Sequence, residues 1–187
     1  ALAVLSKGLV GVVLPMAAAA LYVLVQRDWG MLRRLSIVPG GALFLAIAAP
    51  WFVAVSLANQ EFLRFFFLHE HFERFLTRVH GRYAPPWYFV PVLLAGAMPW
   101  VISLCPALVR AWAASPQRRF RPERFLLLWC AVVFVFFSAS NSKLPGYILP
   151  LLPAAALLLG GELPRTPRAM LAVQAIAVAA VGAALFV

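Results

Sequence analysis

Side chains able to bind a phosphate or a metal cluster in one aromatic segment, NQEFLRFFFLHEHFERFLTRVHGRYAPPWY (Asn59–Tyr88). Laid on a helix from Glu61 to His80 at about 100° per residue, Phe65, Leu68, Phe72, Phe75, Leu76 and Val79 share one side. Arg64, His71, Arg74 and Arg78 share the opposite side. Such a helix lies in a membrane interface with its apolar face in lipid or against other helices. Arg74 and Arg78, beside His71, offer several N–H donors to a phosphate at headgroup depth. Ordinary contact with lipid headgroups explains the same pattern. His69 and Glu73 are i, i+4 neighbours and stack on one face, a spacing that suits two ligands of a single metal ion. Two ligands do not complete a site, and a hydrogen-bonded His–Glu pair accounts for them equally well. His80 lies too far along the helix to join them.

A second polar stretch, SASNSKLPGYILP (Ser138–Pro150), interrupts two apolar runs. Asn141, Pro145 and Gly146 suit a turn. Lys143 and Tyr147 add an ammonium and a phenol, both donors to an anion. Lys7, in LSKGLVGVVLP, is expected to start a glycine-containing helix, where it would bind an anion or extend its ammonium to the membrane surface. Cys105 and Cys130 lie in apolar runs without a CxxC pattern, and are expected to be small buried residues.

The elements that position these groups must be membrane helices. The chain has 187 residues, 64% hydrophobic and 12% charged, whereas a soluble domain carries roughly a quarter charged residues. An all-α, polytopic bundle follows. About 20 apolar residues span a bilayer, and six segments qualify or nearly so: Gly8–Val25, Ile37–Leu57, Trp87–Val109, Phe125–Phe137, Tyr147–Gly160 and Ala169–Val187. The fourth and fifth are short, and must borrow flanking residues or form a bent hairpin. Prolines within most spans favour kinked helices around a cavity.

The net charge of +10 fits loops that face anionic lipids and phosphate-bearing ligands. It does not indicate nucleic acid, because no basic patch sits in a soluble fold. Loops Gln26–Ser36, Arg110–Arg124 and Gly161–Arg168 hold ten of the 16 Lys and Arg residues, which marks them as cytoplasmic. The opposite, non-cytoplasmic face then holds all three histidines, both lysines, Tyr147, Glu61, Glu70 and Glu73. The chain begins inside an apolar run without the pattern of a signal peptide, so the expectation is a later piece of a longer protein.

Three motifs occur in order: SKGLVGVVLP (Ser6–Pro15), HEHFERF leading to APPWYF (His69–Phe89), and FFSASNSKLPGYILP (Phe136–Pro150). Together they resemble the middle and later membrane part of glycosyltransferase family 39, in particular its bacterial aminoarabinose branch, which is related to protein O-mannosyltransferases. The resemblance implies a C-type glycosyltransferase of the bacterial inner membrane, with residues 1–187 forming part of one transmembrane domain. It would take a sugar from a polyprenyl-phosphate donor and pass it to a periplasmic acceptor such as lipid A. The resemblance places Tyr147 and Arg74 at the donor phosphate, with Lys143 nearby and Lys7 at the family's helix-starting lysine. His71 and Arg78 are additional candidates for phosphate or headgroup contact. Family members carry two metal-binding histidines at i, i+4, where this chain has His69 and Glu73. Their acidic catalytic residues lie in a first periplasmic loop that this chain lacks, so no catalytic residue is assigned, and the chain is expected to be inactive alone.

Two other classes compete. A transporter or lipid flippase would also use proline-broken helices, but it calls for ionisable residues near mid-membrane, and the spans carry few. A structural membrane subunit gives no reason for His, Lys, Arg and Tyr to collect on one face.

Overall fold

A computed structural model of the chain describes residues 1–66, 84–113 and 120–184. Every element longer than a turn among the described residues is helical. All six apolar segments are mainly helical over their described residues, yet among those residues only three helices are long and apolar enough to cross a membrane, or four if one bent pair is a single span. The expected count of six is therefore not reached among the described residues. The helix Val10–Gln26 and the helix Arg168–Ala184 have 17 residues each. At about 1.5 Å per residue Val10–Gln26 falls short of a hydrocarbon core about 30 Å thick, as do the described residues of the last helix. The segment expected at Trp87–Val109 bends by 110° between Gly96 and Val101, around Pro99, which has no N–H to continue a helix. The two short segments do borrow from their flanks, reaching Pro122–Ala139 and Pro145–Arg165.

The chain divides into two compact units: Ala1–Pro86 with Val135–Leu144, and Trp87–Phe134 with Pro145–Val187. In the first, α1 (Leu2–Lys7) ends at Gly8, whose φ of 76° lies in the left-handed region that glycine adopts without strain. The next helix, α2 (Val10–Gln26), packs on α1 so closely that a Cβ at Gly11 would lie 2.6 Å from the backbone of Ala3. Its buried face repeats at i, i+4 through Leu14, Ala18 and Tyr22. A short α3 (Gly30–Arg34) follows, tethered by Arg34, which donates to both carboxylate oxygens of Asp28 at 3.0 and 2.8 Å.

The long α4 (Ile37–Ala58) buries only Ala48, while Val38 and Leu57 are more than 80% exposed (82% and 81%). Apolar side chains displayed this fully belong in lipid or against another apolar surface. Past Ala58 the chain turns at Asn59, whose Oδ1 accepts from the Glu61 N–H at 3.1 Å. The one-turn α5 (Phe62–Arg64) is fixed to the end of α4 by aromatic rings. Phe62 meets Trp51 at 5.6 Å, Phe66 meets Phe52 at 5.3 Å, and Phe62 and Phe66 stack at 5.4 Å. Contacts of this kind contribute about 0.5–1.5 kcal/mol each beyond area burial. Phe65, assigned to the apolar stripe from sequence, is 53% exposed.

In the second unit, α6 (Phe89–Gly96) and α7 (Val101–Ala113) precede α8 (Pro122–Ala139), only the first part of which, to Phe134, belongs to this unit. A 3-10 stretch, Pro145–Leu151, leads into α9 (Leu152–Glu162), and α10 (Arg168–Ala184) follows. Small Ala107 and Ala111 on α7 let Leu158 of α9 approach. The pair is closed by Arg110 Nη2, 2.9 Å from Glu162 Oε1. α10 is held to α7 by Gln174 Nε2, which donates to Ser103 Oγ at 2.8 Å. The indole of Trp129 on α8 donates to the Pro150 carbonyl at 2.8 Å, satisfying an acceptor in the proline-interrupted 3-10 stretch. Cys130 is buried as expected, but Cys105 is exposed. The buried face of α7 runs through Ser103, Leu104, Ala107 and Ala111 and leaves position 105 outside it.

Candidate functional site

The best-defined group of candidate residues is the turn after α8. The Ser140 N–H donates back to the Phe137 carbonyl at 3.3 Å, and the Ser140 hydroxyl donates forward to the Ser142 carbonyl at 3.1 Å. The Lys143 ammonium donates to the Ser140 carbonyl. One serine thus joins the end of the helix, the turn and the lysine head. Short polar side chains compete well for backbone groups at such positions.

Lys143 is 5% exposed, rare for a lysine outside an ion pair. Burial pushes its pKa below the usual 10.5, because desolvation disfavours the charged form. An ammonium has three donors. Among the described residues the Ser140 carbonyl takes one of them. Two nearby hydroxyls, Ser138 Oγ in the last turn of α8 and Ser142 Oγ in the turn itself, are buried without a hydrogen-bond partner among the described residues. The turn therefore combines a desolvated cation with polar groups whose bonding is incomplete, a combination suited to a polar ligand.

Tyr147, half-buried, lies in the 3-10 stretch Pro145–Leu151. It belongs to the second compact unit, whereas Lys143 belongs to the first. Lys7 departs from expectation. It does not start a helix; it occupies the last turn of α1, and α2 begins only at Val10. Gly8 breaks the run between them. Lys7 is exposed, in the last turn of α1, where unpaired carbonyls attract cations. The remaining candidates, His69, His71, Glu73, Arg74 and Arg78, lie outside the described residues. Among the described residues no group of three His, Cys, Asp or Glu side chains could hold a metal ion.

Several arginines of the other loop set are committed locally. Arg34 pairs with Asp28 and Arg110 with Glu162. Arg124 donates to the Trp112 carbonyl and lies 5.0 Å from the centre of the Trp112 ring. Arg165 donates to the Gly161 carbonyl at 2.6 Å. These contacts fit loop anchors. Ser140 escaped the sequence reading, which took the stretch as a turn around Asn141, Pro145 and Gly146. Its available signal was the alternation of serines at 138, 140 and 142 just before a lysine.

No family model matches the chain. Among individual proteins, it is 38% identical over 157 residues to an undecaprenyl phosphate-alpha-4-amino-4-deoxy-L-arabinose arabinosyl transferase 1 of Pseudomonas fluorescens strain Pf0-1, covering 83% of this chain and 27% of that protein. The corresponding protein of Pseudomonas fluorescens strain Pf-5 is 40% identical over 161 residues, covering 85% of this chain and 28% of its own length. The crystal structure of ArnT from Cupriavidus metallidurans bound to undecaprenyl phosphate superposes with a TM-score of 0.84 and 42% identity, covering 97% of this chain and 32% of that one. The chain thus spans between a quarter and a third of the length of these proteins.

Proposed function

From a chain homologous to a segment of the undecaprenyl phosphate aminoarabinose transferases, we propose a membrane glycosyltransferase that moves a sugar from a polyprenyl-phosphate donor to the phosphate of lipid A. The observation that carries this reading is the match along nearly the whole chain to a structure that holds undecaprenyl phosphate. The three motifs that resemble the aminoarabinose branch support it from sequence, and the desolvated Lys143 turn supports it from geometry. In this reading the protein sits in the bacterial inner membrane with its active face periplasmic, as the Lys and Arg distribution favours.

The chemistry follows from where charge appears. The donor phosphate is a diester with one negative charge. As the bond between sugar carbon and phosphate oxygen breaks, the electron pair stays on that oxygen and the phosphate departs as a monoester with a second charge. Donors aimed at that oxygen stabilise the transition state more than the ground state. Lys143 supplies a cation that water screens little, and Tyr147 supplies a hydroxyl. Arg74 would supply a planar guanidinium suited to two phosphate oxygens. The prenyl tail would lie along apolar helix surface such as that of α4, where Val38 and Leu57 are exposed. His71, Arg78 and Lys7 are proposed only as headgroup or phosphate contacts at the edge. His69 and Glu73 suit zinc by donor type, but no step of the transfer is assigned to a metal. The acceptor-activating acid is not assigned to any residue of this chain.

The test is transfer of labelled sugar from a polyprenyl-phosphate donor in membranes containing the native protein. Label appearing in lipid A supports the reading. Label in protein would move the acceptor to the protein-modifying relatives. Donor that crosses the membrane with its sugar still attached would overturn the reading in favour of a flippase.

A further inference from the structure

The Lys143 head is not held by its own rotamer alone; it is held by Ser140. The Ser140 carbonyl accepts from Lys143 Nζ, and the Ser140 hydroxyl closes the turn onto the Ser142 carbonyl at 3.1 Å. Both residues are about 95% buried, with 5% exposure each. A lysine stem has four rotatable bonds, and a free one would lose much entropy on meeting an anion. We propose that Ser140 is a positioning residue, which fixes the Lys143 ammonium where the leaving phosphate gains its charge. This inference rests on the phosphate-binding reading above.

The hydroxyl does this by defining the turn. Without it, the Ser142 carbonyl loses this hydrogen bond, and the backbone between residues 140 and 143 is held less tightly. The Ser140 carbonyl then no longer presents itself at one place, and the ammonium samples positions off the reacting oxygen. Misplacement of a group that acts mainly in the transition state lowers kcat more than it raises KM. Loss of one hydrogen bond of ordinary strength corresponds to a fall of roughly five-fold. A hydroxyl in the same place should restore the turn, so Ser140→Thr should recover most of the rate.

The experiment measures sugar transfer by the native protein and by Ser140→Ala, Ser140→Thr, Lys143→Met and the Ser140→Ala/Lys143→Met double variant. Thermal unfolding in detergent accompanies each assay. The expected result is a roughly five-fold lower kcat for Ser140→Ala with little change in KM, recovery in Ser140→Thr, and no further loss when Ser140→Ala is added to Lys143→Met. An equal loss from Ser140→Ala with and without Lys143 would make Ser140 merely structural and overturn the inference. Full kcat in Ser140→Ala, beside an impaired Lys143→Met, would overturn it too. Full activity in Lys143→Met would instead sink the phosphate-binding reading on which it stands.

Discussion

Replacing Lys143 by methionine separates charge from packing. The two side chains share a flexible apolar stem, so the buried space stays filled. What is lost is an ammonium 5% exposed. Two unit charges about 4 Å apart attract by about 4 kcal/mol at an effective dielectric of about 20. Removing one preorganised donor from a developing anion costs about 10²–10³ in rate, or about 3–4 kcal/mol. Because Lys143 also donates to the Ser140 carbonyl, its field is shared, and the lower end is expected: about a hundred-fold fall in kcat. Stability should move the other way or not at all. The lost bond to Ser140 costs about 1 kcal/mol, and relief from burying a charge offsets a cost of that size. Sugar transfer in reconstituted membranes, paired with thermal unfolding in detergent, reads both quantities. Transfer within two-fold of the native rate would refute the placement of Lys143 at the phosphate. Unfolding at a much lower temperature would refute the claim that its charge is carried at a cost.

The same lysine has a pH signature. Its folded pKa lies below the usual 10.5, so between that lowered value and 10.5 the unfolded chain binds more protons. Stability from this group therefore rises with pH through that window, and the contribution should vanish from the unfolding profile of Lys143→Met. Gly11→Leu should separate α1 from α2, since even a Cβ would meet Ala3 at 2.6 Å; about 1–3 kcal/mol lower stability is expected by thermal unfolding. At the other unit, Arg110→Ala strands a Glu162 carboxylate that is 6% exposed and should cost about 2 kcal/mol. Glu162→Gln leaves only a half-exposed arginine and should cost less, about 1 kcal/mol. Denaturant titration of the two variants gives that order. Finally, Ser103→Ala should cost about 1–2 kcal/mol by leaving the buried Gln174 amide without its partner, whereas the double change with Gln174→Leu should be nearly neutral.

Most of the helix placement is legible from hydropathy alone, because each apolar run is mainly helical over its described residues, and α4 matches its expected bounds within a residue. The count of spans is not, because span length depends on where polar residues and prolines end a helix. Asp28 follows α2 within two residues, and Pro99 sits at the bend between α6 and α7. Lys7 shows the same limit at a finer scale. Sequence placed it at a helix start, but Gly8 stops α1 and turns the lysine into a C-terminal residue. The motif residues Lys143 and Tyr147 were readable as polar types in an apolar context, and the homologous transferases bear out the family they resemble. The role of Ser140 was not readable. It acts through a carbonyl and a hydroxyl bond two residues along the chain, and backbone geometry of that kind leaves only a weak trace in residue identity. Arg74, His69 and Glu73 lie outside the described residues, so their assignment still rests on helical spacing and resemblance.

Transfer of labelled aminoarabinose from undecaprenyl phosphate to lipid A, measured in the native protein beside Tyr147→Phe and Arg74→Ala, tests the central claim most directly. The account predicts transfer by the native protein and loss of transfer in both variants, each with unfolding temperature unchanged. Native-level transfer in both variants would contradict it.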